Sequence, residues 1–62
     1  MHYEITVRGH LSAAVADAFE GLTAAPSGAD TVIRGDVDRA GLHGVLARIE
    51  DLGLELLDVH RS

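Results

Sequence analysis

Asp38-Arg39-Ala40-Gly41-Leu42-His43-Gly44-Val45-Leu46-Ala47-Arg48-Ile49-Glu50-Asp51-Leu52-Gly53 places Leu42, Val45, Leu46, Ile49 and Leu52 at i, i+3, i+4, i+7 and i+10. That spacing is one aliphatic stripe along a helix. Asp38 is the expected N-cap, because its carboxylate can accept from the unbonded amides of the first turn. Gly53 is the expected stop, at the position where helices commonly turn left-handed and only glycine escapes a Cβ clash. Gly41 and Gly44 each weaken a helix interior by about 1 kcal/mol relative to Ala. Close packing against the sheet or a neighbouring helix is the expected reason for both.

On either side of this helix the period changes from helical to two-fold. His2-Tyr3-Glu4-Ile5-Thr6-Val7-Arg8 alternates, with Tyr3, Ile5 and Val7 on one face and His2, Glu4, Thr6 and Arg8 on the other, and Gly9 ends it. Such alternation with β-branched and aromatic residues predicts a strand covered on one side. Thr31 to Val37 repeats the pattern, with Thr31, Ile33, Gly35 and Val37 facing the helices and Gly35 admitting a close helix approach. Between these strands Leu11, Val15, Ala18, Phe19 and Leu22 form a second helical stripe, with Ser12 as N-cap and Gly21 as stop. Leu22 to Ala25 is read as a short strand, separated from the next by a break at Pro26-Ser27-Gly28. Leu54 to His60 is the last strand, and Leu56-Leu57 interrupts its alternation.

The order β-α-β-β-α-β predicts an α+β, ferredoxin-like domain over residues 1–62. Right-handed crossovers then give a four-stranded antiparallel sheet in the order 4-1-3-2, with both helices on one face. The chain has 62 residues, 47% apolar, and Tyr3 and Phe19 are its only aromatics, so the core must be aliphatic. Domains this short bury only about 60% of the surface they expose when unfolded, less than larger domains do. The absence of cysteine removes disulfides and thiolate zinc sites as staples. Self-association, most simply as a homodimer, is therefore expected. The formal charge is −5 and no Lys is present, which argues against nucleic acid as a partner. No apolar run approaches membrane-spanning length and the first residues do not read as a signal peptide, so a cytoplasmic location is expected.

Tyr3-Glu4-Ile5-Thr6-Val7-Arg8-Gly9-His10-Leu11, Thr31-Val32-Ile33-Arg34-Gly35 and Leu42 to Ile49 running into Leu52-Gly53-Leu54 together resemble a family of small uncharacterised bacterial proteins. That family is common in high-GC Gram-positive genomes and is built on the pattern TxLxG…LHGLLxRIxDLGLxLLxV. Its members often carry Trp or other bulky residues in the first helix, where this chain has Val15 and alanines. The resemblance implies no catalytic residues. A fainter likeness is to ACT-type regulatory domains. It implies amino-acid binding at the loop after the first strand, here Gly9-His10-Leu11, and at a subunit interface.

Four histidines are many for this length. If the first and last strands pair antiparallel, His2 and His60 become cross-strand neighbours with Glu4 and Asp58 one pair further in. Two imidazoles and two carboxylates would suit Zn or Ni; the plainer alternative is a solvated polar face. His10, in the loop before the first helix, can act as a base. With the basic Arg8 and Arg34 it makes the candidate ligand-binding set. His43 reads as helix surface, and Asp36, Asp38 and Arg39 as capping and dipole complementarity. No phosphate loop, dinucleotide fingerprint or CxxC occurs, and no cofactor is expected.

The open sheet face mixes His2, Glu4, Thr6, Arg8, Val32, Arg34 and Asp36, and Leu56 of the last strand is expected to join them. It suits sheet-on-sheet pairing, in which Arg8 or Arg34 meets Glu4 or Asp36 of a second copy. The first expectation is thus a non-enzymatic homo-oligomeric module that binds a small ligand or partner protein. The alternatives are an enzyme whose site forms between subunits and a metal-binding module.

Overall fold

The structure, a computed structural model, describes residues 1–19 and 21–61. Its elements run β1 (His2–Val7), α1 (Ala13–Ala16), β2 (Thr23–Ser27), β3 (Asp30–Asp36), α2 (Arg39–Asp51) and β4 (Leu56–Arg61). The sheet order is β2-β3-β1-β4, the expected 4-1-3-2 read from the other edge, and every neighbouring pair is antiparallel.

The α2 helix begins and ends as its sequence predicts. Asp38 Oδ1 accepts from Gly41 N at 2.6 Å. At the other end Gly53 has φ +72°, Gly53 N donates to Glu50 O at 2.9 Å and Leu54 N to Ile49 O at 3.0 Å. These paired bonds satisfy the last carbonyls, and the Leu54 side chain folds back onto the cluster that holds Ile49. The core is the set Ile5, Val7, Phe19, Ile33 and Ile49, packed by partly buried Val15 of α1 and Leu42, Val45 and Leu46 of α2. Burial of these side chains is the main favourable contribution to stability, at roughly 1.5–3 kcal/mol each.

The first helix is shorter than its stripe implies. Ser12 caps it through Oγ, which accepts from Val15 N at 3.3 Å. After Ala16, however, the bonding tightens to i→i−3, with Ala18 N on Val15 O and Phe19 N on Ala16 O, both at 3.1 Å. The tighter winding turns Phe19 into the core, where it is 4% exposed. Burying the chain's one Phe outweighs another turn of an isolated short helix.

The hairpin also differs from expectation. Pro26 and Ser27 belong to β2, and Ser27 pairs with Asp30 across a two-residue turn, Gly28-Ala29. Gly28 has φ +62° and Ala29 is not positive, so the turn has glycine at its first central position, as a type II′ turn requires. The close approach at Gly35 is by a connecting segment and not by a helix. A Cβ there would lie 2.5 Å from Leu22 Cδ2 and 3.3 Å from Gly21 O. Packing does not explain Gly44, whose Cβ would meet nothing within 4 Å. Gly41 is crowded by its own cap, with Asp38 Oδ1 at 3.1 Å.

Candidate functional site

Two places collect the chain's chemistry-bearing side chains. The first is the loop after β1. Thr31, buried on β3, donates its hydroxyl to Gly9 O at 2.7 Å, and Gly9 N donates to Asp30 Oδ1 at 3.3 Å. His10 Nε2 donates to Gly28 O at 2.9 Å, which fixes the proton on that nitrogen. Three bonds thus strap the loop across the end of the hairpin. Beneath it His10, Leu11, Ala16, Ala24, Pro26 and Thr31 border an open recess of about 220 Å³.

The second place is the open sheet face. Residues paired across an antiparallel ladder share a face, so the register places Thr23, Arg34, Glu4 and His60 in one row across all four strands. Ala25, Val32, Thr6 and Asp58 form the next row, and His2 stands opposite Asp36. Arg34 Nη2 lies 4.0 Å from Glu4 Oε1 and His2 Nδ1 lies 3.8 Å from Asp36 Oδ1. Each of these carboxylates thus has a guanidinium or an imidazole of the same chain beside it. Such exposed pairs contribute little stability, about 0–1 kcal/mol.

The candidate residues are dispersed by this arrangement. Arg8 turns away from His10, and its Nε meets Glu55 Oε2 at 2.8 Å while its amide meets Glu55 O at 2.9 Å. Arg34 sits mid-sheet against Glu4. His60 stands opposite Glu4, not His2, and Asp58 stands opposite Thr6. The pairing is therefore two residues out of the expected register. β4 also carries an extra residue between Asp58 and Leu56, opposite the Thr6–Val7 step. That bulge places Leu56 opposite Val7, on the helix side and off the open face. Among the described residues no three His, Asp or Glu side chains converge as a metal-ion set.

A family model covers residues 2–60, that of a domain of unknown function designated DUF8691. The chain belongs to the DUF8691 family. No curated protein and no solved structure matches this DUF8691 domain. Among its described residues no helix is long and apolar enough to cross a membrane.

What sequence reading missed in the DUF8691 chain is the apolar character of its last strand. Leu56, Leu57 and Val59 of β4 are 43%, 40% and 38% exposed, and Leu52 at the end of α2 is 40% exposed. The signal was present in Leu56-Leu57, which broke the alternation expected of a strand with one covered face.

Proposed function

We propose that this ferredoxin-like domain is a non-enzymatic module that works as a homo-oligomer. The observation that carries the reading is the strip Leu52, Leu56, Leu57 and Val59, which lies exposed in a chain with only five buried hydrophobic side chains among those described. So small a core leaves the domain marginal on its own, and a second copy covering the strip adds apolar burial where it is lacking. The recess at His10 supports the same reading. At about 220 Å³ it is smaller than ligand pockets, which start at roughly 300 Å³, and the His10 ring is already committed to Gly28 through Nε2. The amino-acid binding suggested by the ACT-type likeness would therefore need a wall from another subunit.

Sedimentation equilibrium over a wide concentration range tests this. The expected result is a mass that rises with concentration to a multiple of the 6.5 kDa chain. A mass that stays at one chain throughout overturns it.

A further inference from the structure

The two edges of the sheet are built differently. Met1 and Val37 exchange both backbone bonds, Met1 N to Val37 O at 3.1 Å and Val37 N to Met1 O at 2.9 Å. Bonded pairs recur every second residue along an antiparallel ladder. Tyr3, Ile5 and Val7 therefore bond to β3, while Glu4 and Thr6 bond to their β4 partners His60 and Asp58. On β4 this leaves the amides and carbonyls of Val59 and Arg61 directed away from the sheet. The same alternation on the other side leaves Ala24 and Pro26 of β2 facing outward. Pro26 has no N–H to offer there, so it blunts that edge without breaking a bond within the sheet. β4 has no proline, and exposed Leu56, Leu57 and Val59 lie along it.

We infer that β4 pairs antiparallel with β4 of a second copy, about a two-fold axis at Val59, to make one continuous sheet. This rests on the self-association proposed above and specifies its geometry. Outward-facing residues must meet outward-facing residues, so the axis passes through a residue and not between two. Charge then selects among the registers. An axis at Asp58 stacks two carboxylates, and an axis at His60 stacks two imidazoles. An axis at Val59 sets Asp58 opposite the partner's His60, twice, and Val59 against the partner's Val59. An imidazole N–H donates to a carboxylate in either protonation state. The pairing also extends the row Thr23, Arg34, Glu4, His60 by the partner's Asp58, so that each carboxylate in it again borders a basic side chain. On the helix side Val59 meets its own copy at the axis, which removes the Val59 end of the exposed strip from water.

Val59→Pro deletes an outward N–H without touching a bond to β1, so the monomer keeps its fold. It should weaken self-association at least about 30-fold, equivalent to about 2 kcal/mol, for two lost backbone bonds. Circular dichroism identical to the unsubstituted chain confirms that folding is intact. Asp58→Lys and His60→Asp should each weaken self-association, the first by facing Lys with imidazole and the second by facing two carboxylates. Mixed together, the two variants should form a heterodimer, in which every facing pair again joins a carboxylate to a basic group. Undiminished association of Val59→Pro, or failure of the mixture to associate, overturns this geometry and leaves self-association by another face standing. A chain that is monomeric at every concentration overturns both.

Discussion

Thr31 is only 4% exposed and commits its hydroxyl to Gly9 O, a residue 22 positions away in sequence. Thr31→Val keeps the shape and the strand preference but leaves that carbonyl without its donor. The expected loss is about 1–3 kcal/mol, measured by urea unfolding. Faster amide exchange at Gly9 and His10 should accompany it, because the strap of the loop is then released; unchanged exchange there would contradict the strap. At this scale local chemistry was legible. The Ser12 and Asp38 caps follow from side chains within three residues of the amides they hold. The roles of Thr31, Arg8 and His10 were not legible, because each bond joins distant parts of the chain: Arg8 reaches Glu55 and His10 reaches Gly28.

The glycines separate two kinds of element-level constraint. Gly44 lies in the α2 interior beside an open hollow bordered by Phe19, Leu22 and Val45, and an added methyl would find no other atom within 4 Å. Gly44→Ala should therefore raise stability by about 1 kcal/mol through helix propensity alone. Gly35→Ala should lower it by about 1–3 kcal/mol, because the methyl meets Leu22 and the Gly21 carbonyl. Chemical denaturation of both variants checks the pair, and a loss at Gly44 would show that the hollow closes in solution. The period of each segment was enough to name α2, β1 and β3. It was not enough for α1, where the stripe continues past Ala16 but the backbone tightens to bury Phe19. Nor did it locate the hairpin turn, since Pro26 is compatible with a strand only where its nitrogen faces away from the ladder.

For the whole molecule, stability and assembly are linked. If the exposed strip is covered by a second copy, the midpoint of thermal unfolding must rise with protein concentration, by mass action. A midpoint independent of concentration would contradict self-association near the working range. Net charge of −5 opposes association, so moderate salt should favour it by screening the repulsion between copies. The sequence by itself determined the number and kind of the elements, the order of the strands, the caps and stop of α2, and the split between covered and open faces on β1 and β3. These depend on period, on capping chemistry and on the handedness of crossovers, which act within or between adjacent segments. Only the tertiary structure decided the register of β4, and with it that His60 meets Glu4 and that Leu56 joins the helix side. A two-residue offset keeps every side chain on its face, so alternation cannot reveal it, and the one-residue bulge at the Thr6–Val7 step then moves Leu56 to the other face. The contrast between the blocked β2 edge and the open β4 edge follows from those pairings, because the direction of each amide is known only once its ladder partner is.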